Sequence, residues 1–209
     1  MKALRFLITA GPTREFIDPI RFISNRSSGK MGYALAEAAR AVSPNVVLVS
    51  GPTALTPPKG VTLVNVVTAQ EMADAVFTRF AESDVVIMAA AVCDFRPKMS
   101  AGSKIKKQTF GGALELVATI DILAELGKRK DSQLLVGFAA ETNDLERNAI
   151  AKLKSKGVDL IVANEASAFE AETNRVTLFD AAGQKEQLRE MPKRDVAAAI
   201  IERVLKLRR

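Results

Sequence analysis

The chain has 209 residues, of which 48% are hydrophobic and 26% are charged, and its formal net charge is +6. This length and composition predict one globular domain, covering residues 1–209, with a sizeable core. The sequence has no histidine and one cysteine, Cys93. An imidazole general base, an intramolecular disulfide and a cluster of cysteine metal ligands are therefore excluded.

The sequence has no run of about 18 apolar residues, which a membrane-spanning helix requires. The N-terminal segment also reaches the Gly11-Pro12 pair too soon for a signal peptide or membrane anchor, so we expect a cytoplasmic protein without a membrane partner. The positive charge favours acidic partners, either phosphorylated small molecules or nucleic acid. Aromatic residues make up only 5% and tryptophan is absent, and no basic stripe with interleaved aromatics is present. We therefore expect no nucleic-acid partner.

The chain begins with an apolar run, Leu4 to Thr9, that predicts a buried parallel strand. A polar loop from Gly11 to Ile23 follows, and then the segment SNRSSGKMG over residues 24–32 leads into a helical pattern. The free backbone N–H groups at that helix start predict an anion site. Ser27 and Ser28 are expected to cap the helix and donate hydrogen bonds. Gly29 would let a phosphate approach the backbone, and Arg26 and Lys30 add positive charge.

Further strands are predicted at 45–50 and 61–67, followed by a helix capped by Thr68 with Glu71 three residues later. Residues 84–91 read as the central strand, because they are apolar throughout. The segment after this strand, Val92 to Pro97, lies where α/β sheets place their ligands. It continues into a basic loop that contains Lys104, and we predict that residues 95–112 form a flap.

The remaining pattern continues the alternation of strands and helices. Thr119 is expected to cap a helix over 121–129, and a helix over 145–156 places Lys152 and Lys156 on one face. Strands are predicted at 114–117, 134–138 and 159–163, a hairpin at 174–179 and 185–188, and a last helix from Pro192.

This order predicts an α/β fold with a doubly wound, mostly parallel, Rossmann-like sheet. The hairpin near the C-terminus is expected to form a small antiparallel arm at about 172–190. Because such arms are often oligomer contacts, we expect a homodimer.

The fold alone suggests an NAD(P)-dependent oxidoreductase, which stays open as the alternative. Against it, the first loop carries Gly11 without a G-x-G-x-x-G motif, and the second strand ends in Ser50-Gly51 instead of an acidic residue. A second candidate is a ligase that uses a nucleoside triphosphate without a Walker motif. The cationic or N–H-rich segments near Ser27, Lys104 and Lys152 would neutralise the triphosphate.

Several motifs resemble one family. ITAGPTRE, IDPIRFISNRSSGKMG, AAAVCDFRP, KIKK, DILAELG, VGFAAET and DLIVAN occur in order from Ile8 to Asn164. They resemble phosphopantothenoylcysteine synthetase, the phosphopantothenate-cysteine ligase of coenzyme A biosynthesis. The resemblance implies a two-step reaction with CTP and Mg2+. The carboxylate of 4'-phosphopantothenate forms an acyl-cytidylate and pyrophosphate, and the amine of L-cysteine then displaces CMP. It also implies that the chain is free-standing or excised from a protein that carries a phosphopantothenoylcysteine decarboxylase.

The resemblance also implies roles for matching residues. Asn25 would hold the substrate carboxyl, and Lys104 would be the cation of a mobile flap. The resemblance implies a catalytic role for both residues. Substrate contacts are implied for Arg21, Asn25 and Ala91. Nucleotide contacts are implied for Ser27, Ser28, Gly29, Met88, Ala89, Ala90, Asp94, Lys104, Thr119, Ile120, Asp121, Ile122, Phe138, Lys152 and Lys156.

Two departures from the family pattern concern this region. Cys93 stands where the family usually has alanine, and Thr119-Ile120 stands where it usually has Asn-Pro. We interpret Cys93 as a small buried neighbour, not as a nucleophile. The two substituted positions retain backbone contacts, while a side-chain role there is in doubt. The residues do not assign the ligands of Mg2+.

Overall fold

The computed structural model describes residues 3–109, 111–141, 144–165 and 172–208. The strands are β1 (Arg5–Ala10), β2 (Arg14–Phe16), β3 (Phe22–Ser24), β4 (Asn45–Ser50), β5 (Thr62–Asn65), β6 (Val85–Met88), β7 (Phe95–Pro97), β8 (Leu116–Ala118), β9 (Leu134–Glu141), β10 (Leu160–Glu165), β11 (Thr173–Asn174), β12 (Val176–Asp180), β13 (Lys185–Gln187) and β14 (Met191–Pro192). The helices are α1 (Lys30–Val42), α2 (Ala69–Phe80), α3 (Ile122–Arg129), α4 (Leu145–Ser155) and α5 (Lys193–Leu207).

An eight-stranded sheet forms the centre of the molecule, in the order β13-β12-β10-β9-β6-β1-β4-β5. The strands from β10 to β5 are parallel, and β12 and β13 are antiparallel to their neighbours. The prediction of a mostly parallel α/β sheet is therefore confirmed. β6 and β1 are adjacent, and the chain leaves them in opposite directions across the sheet, so the carboxyl ends of these two strands form a topological switch point.

Both faces of the sheet are buried. Phe6 and Ile8 of β1 lie in the core cluster that contains residues of α1 and α5, whereas Leu7 lies in the cluster that contains residues of α2, α3 and α4. Successive side chains of a strand point to opposite faces, so a strand covered on both sides is apolar at nearly every position. This explains why the sheet strands are visible in the sequence as continuous apolar runs.

Two helix starts test the capping predictions. Thr68 accepts a hydrogen bond from the Glu71 N–H (3.1 Å), and the Glu71 carboxylate accepts one from the Val67 N–H (2.7 Å), so this cap is confirmed. The cap predicted from Thr119 is wrong. Asp121 is the N-cap of α3 and accepts from the Ala124 N–H at 2.9 Å. A carboxylate caps a helix as well as a hydroxyl does. Asp121 is the cap because it directly precedes the first helical residue.

The polar loop predicted over residues 11–23 contains structure that the sequence analysis missed. β2 and β3 form a short antiparallel hairpin within it, and β7 and β8 form a second antiparallel pair around the flap segment. Residues of β2 contact β7, so the two pairs lie together. Their side chains include exposed Phe22, Phe95 and Leu116.

The hairpin near the C-terminus is present, but it is not a separate arm. β12 pairs with β10 along its whole length, and β13 then forms the edge of the main sheet. The exposed large apolar side chains of β3, β7 and β8 are a stronger reason than this polar edge to expect a homodimer. The homodimer stays a prediction, which light scattering of the purified chain tests.

Within the described residues, no helix combines the length and the apolar character needed to cross a membrane.

Candidate functional site

A cavity of about 730 Å³ lies at the carboxyl edge of the sheet. It is lined by the segments that follow β6, by the start of α1, by the start of α3 and by parts of β9 and α4. All the predicted site residues except Arg21 and Lys104 line it: Asn25, Ser27, Ser28, Gly29, Met88, Ala89, Ala90, Ala91, Asp94, Thr119, Ile120, Asp121, Ile122, Phe138, Lys152 and Lys156. The switch point therefore brings segments far apart in sequence into one site.

The middle of the cavity is formed where the loops after β1 and β6 meet. The Ala91 N–H donates to the Gly11 carbonyl (2.9 Å), and the Cys93 N–H donates to the Thr13 hydroxyl (2.9 Å). The Asn25 side-chain amide donates to the carbonyls of Ala91 (3.0 Å) and Val92 (3.1 Å). Because its NH2 group is engaged in this way, Asn25 must exchange one of these bonds before it can donate to a substrate oxygen.

The start of α1 differs from the prediction. The N-cap is Gly29, with φ of 79° and no side-chain cap, and the Ser27 hydroxyl accepts from the Gly29 N–H at 3.3 Å. The expectation that the serines cap the helix is therefore wrong, since the helix begins at Lys30. The first turn also carries no acidic residue. The N–H groups and the positive end of the helix dipole at this point suit a phosphate.

The α3 and α4 side of the cavity holds its two lysines in place. The Lys152 ammonium donates to the Phe138 carbonyl (2.7 Å), and Lys156 forms an ion pair with Asp121. Burial opposes the ionisation of Asp121, but hydrogen bonds from Lys156 and from the Ala124 N–H outweigh it and lower the pKa of this carboxyl. Lys152 and Lys156 thus lie on one helical face, as their spacing predicts, and are anchored to β9 and α3.

Cys93 does not resemble a nucleophile. Its side chain is buried, and burial raises the pKa of the thiol, so the neutral form is favoured. The neighbouring Thr119 hydroxyl donates to the Cys93 carbonyl, and the Thr119 N–H donates to the Asp94 carbonyl at 2.9 Å. Thr119 therefore fixes the segment that carries Asp94 and does not cap α3.

Arg21 and Lys104 lie elsewhere. They line a second cavity of about 540 Å³, together with neighbouring residues of the flap segment. Arg21 donates to the Ile105 carbonyl (2.9 Å), and the Asp18 carboxylate accepts from Arg21 and from the Ile105 N–H (3.1 Å). In this conformation the flap segment is bound to the 17–21 turn. The expected convergence of Lys104 with the other cationic segments is therefore not observed.

The cavity includes residues that the sequence analysis missed, namely Asn164, Asn174 and Lys193. Asn164 lies near the end of β10, at the carboxyl edge of the sheet, and the rule that ligands lie at the carboxyl ends of parallel strands would have found it. Asn174 and Lys193 are brought to the cavity by the pairing of the two-residue strands β11 and β14. Strands that short leave no recognisable pattern in a sequence.

Metal ligands are few. No group of three or more His, Cys, Asp or Glu side chains within the described ranges could hold a metal ion by itself. Two carboxylates line the cavity, those of Asp94 and Asp121, and the second already caps α3 and pairs with Lys156. Such a donor set fits Mg2+ only where phosphate oxygens and water complete its coordination.

Residues 1–207 match the family described as the DNA/pantothenate metabolism flavoprotein C-terminal domain. The chain belongs to this family. A relative from Bacillus subtilis (strain 168), named coenzyme A biosynthesis bifunctional protein CoaBC, is 51% identical over 206 residues that cover 96% of this chain and 51% of that protein. Another, from an unspecified prokaryote and named cysteine/cysteine sulfinic acid decarboxylase, is 46% identical over 209 residues that cover 97% of this chain and 58% of that protein.

The chain spans about half the length of these curated relatives. A solved structure covers the corresponding part. The crystal structure of the C-terminal domain of a coenzyme A biosynthesis bifunctional protein CoaBC is 46% identical, with a TM-score of 0.87, and the match covers 99% of this chain and 96% of that one. This chain therefore shares its fold with that C-terminal domain along nearly the whole length of both.

Proposed function

We propose that this chain joins 4'-phosphopantothenate to L-cysteine and uses CTP to activate the acid. The observation that carries the proposal is the single cavity in which the uncapped start of α1, the Asn25 amide and the Lys152 and Lys156 ammonium groups come together. Membership of the DNA/pantothenate metabolism flavoprotein C-terminal domain family and 51% identity to a coenzyme A biosynthesis protein support it.

The proposed reaction has two steps. In the first, a carboxylate oxygen of phosphopantothenate attacks the α-phosphorus of CTP, pyrophosphate leaves and an acyl-cytidylate forms. In the second, the amine of L-cysteine attacks the acyl carbon, CMP leaves with the bonding electrons, and the amine proton passes to solvent or to a basic group. A site without histidine can support both steps by positioning and electrostatic stabilisation.

The nucleotide would lie along the cavity from α3 and α4 towards the start of α1. Backbone groups of Met88, Ala89 and Ala90 would read the cytosine edge, since N–H and C=O groups can distinguish its amino donor and ring acceptors from those of another base. The anchored lysines of α4 would neutralise the nucleotide phosphate, and the first turn of α1 would bind the other phosphates through backbone N–H groups. The order of these contacts puts the α-phosphate in the middle of the cavity.

Asn25 lies in that middle region, next to Ala91. As the substrate carboxyl binds, it would replace one of the two backbone carbonyls that Asn25 now contacts. The side-chain amide would then donate to the oxygen on which negative charge develops. Because the carbonyls of Ala91 and Val92 fix the orientation of the amide before substrate binds, little rotamer freedom remains to be lost.

The flap completes the proposal. Lys104 would reach the polyphosphate only after the flap segment has left the 17–21 turn, because Asp18 and Arg21 now bind Ile105. Mg2+ would neutralise the polyphosphate, with Asp94 as the carboxylate that lines the cavity and does not cap a helix. Arg21, freed from the flap, would act on the substrate side.

The test measures pyrophosphate release from CTP, ATP, GTP and UTP in separate reactions with phosphopantothenate and L-cysteine. We expect release that requires phosphopantothenate and is fastest with CTP. Release that does not depend on phosphopantothenate contradicts the proposal. Hydride transfer from NADPH in the same preparation would instead favour the oxidoreductase. If the proposal holds, a decarboxylase acting on the product is the expected partner, either fused or separate, since the CoaBC relatives are bifunctional.

A further inference from the structure

The side chains at the end of the cavity between α1 and α5 have no role in the function proposed above, which uses only the backbone N–H groups of α1 at this end. Lys30, Asn174 and Lys193 line it, and we call these three residues the α1/α5 end. Asn174 is 5% exposed and Lys193 is 7% exposed, although both are polar. Buried polar side chains are normally stabilised by hydrogen bonds, to the protein or to a ligand.

The fold builds this end from distant segments. β11 pairs with β14, which places Asn174 opposite Met191, and the Lys193 N–H donates to the Glu172 carbonyl at 3.1 Å. α5 then begins at Lys193 without a side-chain cap, and α1 begins at Lys30 in the same way. The α1/α5 end therefore carries two ammonium groups and the positive ends of two helices.

The electrostatics of Lys193 favour an anion. Burial lowers the pKa of its ammonium group, the neighbouring Lys30 lowers it further, and Glu172 opposes both effects. Lys30 itself pairs with Glu172, whose side chain is largely exposed and can exchange this partner at little cost. A carboxylate bound between the two lysines would relieve the repulsion and the desolvation of Lys193.

Asn174 points to a second feature of the ligand. Its side-chain oxygen is buried and has no hydrogen-bond partner among the described residues. A buried acceptor without a donor is destabilising, so a ligand that brings an N–H or O–H group would complete the site. The α1/α5 end thus offers an acceptor beside two cations, which is the complement of an amino acid with its ammonium and carboxylate groups.

We propose that the α1/α5 end is the binding subsite for L-cysteine, with its carboxylate on Lys30 and Lys193 and its amine on the Asn174 side-chain oxygen. This inference rests on the proposed function and adds the site of the second substrate. Pyrophosphate, whose phosphates the α1 N–H groups would bind in the first step, offers no N–H group to Asn174 and leaves before the second step. The position also suits the chemistry. After pyrophosphate has left, CMP lies on the α3 and α4 side and the acyl group lies near Asn25, so the amine approaches from the opposite end of the same cavity.

The experiment separates the two half-reactions. Exchange of labelled pyrophosphate into CTP, with phosphopantothenate and without cysteine, reports the first step, and product formation at varied L-cysteine reports the second. We expect Lys193→Met and Asn174→Ala to raise the KM for cysteine by about 10- to 100-fold. The exchange rate should change less than about twofold. Asn174→Asp, which keeps an acceptor oxygen, should recover most of the loss.

Lys206→Met is the matched control, since Lys206 lies on the same helix in an exposed ion pair with Glu202. Circular dichroism and melting temperature verify that each variant is folded. A second comparison uses cysteamine, which has the amine and thiol of cysteine but no carboxylate. The native chain should prefer cysteine to cysteamine in kcat/KM, and Lys193→Met should remove most of this preference. Asn174→Ala should leave the preference nearly unchanged, because both substrates carry the amine.

Three results would overturn the inference: loss of pyrophosphate exchange in the Lys193 and Asn174 variants, an unchanged KM for cysteine, or an unchanged preference for cysteine in Lys193→Met. The first result would instead assign these residues to the polyphosphate. Failure of the proposed function looks different, because the native chain itself would then show no exchange that depends on phosphopantothenate.

Discussion

Gly29→Ala perturbs the floor of the cavity at the N-cap of α1. Gly29 has φ of 79°, a left-handed conformation that costs an alanine about 1–2 kcal/mol. The added Cβ would also lie 2.7 Å from the Thr53 Cγ2 and 3.3 Å from the Gly11 Cα, well inside normal carbon contact. Such overpacking costs about 1–3 kcal/mol more. We therefore expect a total loss of about 2–5 kcal/mol in the free energy of unfolding.

Gly183→Ala is the matched control. Gly183 has φ of 83°, but no heavy atom of the described residues lies within 4 Å of a Cβ built there. This variant should show only the conformational cost of about 1–2 kcal/mol. Thr53→Ser removes the clashing methyl group and keeps the hydroxyl, which donates to the Tyr33 hydroxyl at 3.2 Å. In the double variant Gly29→Ala/Thr53→Ser, part of the loss should be recovered.

Urea unfolding gives the stability of each variant, and calorimetric titration with CTP gives the affinity. Because the first turn of α1 carries the N–H groups proposed to bind phosphate, Gly29→Ala should weaken CTP binding, whereas Gly183→Ala should not. Equal destabilisation by the two alanine variants, or no recovery with Thr53→Ser, would refute the steric account. Unchanged CTP affinity in a folded Gly29→Ala protein would show that the nucleotide does not bind at the start of α1.

Three further predictions concern the middle of the cavity and the flap. Asn25→Ala should lower turnover far more than CTP affinity, because its proposed contact forms with the reacting acyl group; single-turnover kinetics with calorimetric binding tests this, and normal turnover contradicts it. Lys104→Gln should slow acyl-cytidylate formation, and pyrophosphate release at the native rate would exclude that role. Hydrogen bonds from Arg21 and from backbone N–H groups hold the pKa of Asp18 well below its usual range. The ionised carboxylate therefore stabilises the fold above its unfolded pKa of about 4, and this contribution is lost as the pH falls through the lower folded value. Asp18→Asn should lose less stability than the native chain between about pH 5 and 3 in urea unfolding, and parallel pH profiles would show that this carboxylate is not linked to folding.

The central strands of the sheet could be predicted because both of its faces are covered there, so β1, β4, β6, β9 and β10 are largely apolar runs. The same reasoning located the segments after Met88 and before Lys30 at the carboxyl edge, which is where the cavity lies. The short pairs β2–β3 and β7–β8 escaped prediction because strands of three residues have no measurable alternation. The turn between β2 and β3 binds the flap segment, because Asp18 and Arg21 form hydrogen bonds with Ile105. Lys104 therefore lies outside the cavity, and no local sequence pattern indicates this position.

Helix starts could be predicted where all the contacts that fix them are local in sequence, and not where distant residues take part. Thr68 with Glu71 is a complete local signal, since both partners lie within one turn, and it was predicted correctly. The serines before α1 are an equally strong signal by composition, yet Gly29 takes the left-handed conformation and becomes the N-cap. That conformation packs Gly29 against Gly11 and Thr53, which are distant in sequence. Because no side chain caps α1, its first N–H groups stay available to bind a ligand.

The cavity extends over the carboxyl edge from the helices on one face of the sheet to those on the other. This arrangement suits a reaction with two successive nucleophiles, first the carboxylate and then the amine. Residues of α3 and α4 close one end, with Lys156 paired to Asp121. Residues of α1 and α5 close the opposite end, where the Asn174 side-chain oxygen accepts no hydrogen bond from any residue that the structure describes. An activated acid formed at the switch point would then lie between its leaving group on one side and its amine on the other. Attack from the α1 and α5 end, which pyrophosphate vacates after the first step, needs no displacement of CMP before the new bond forms.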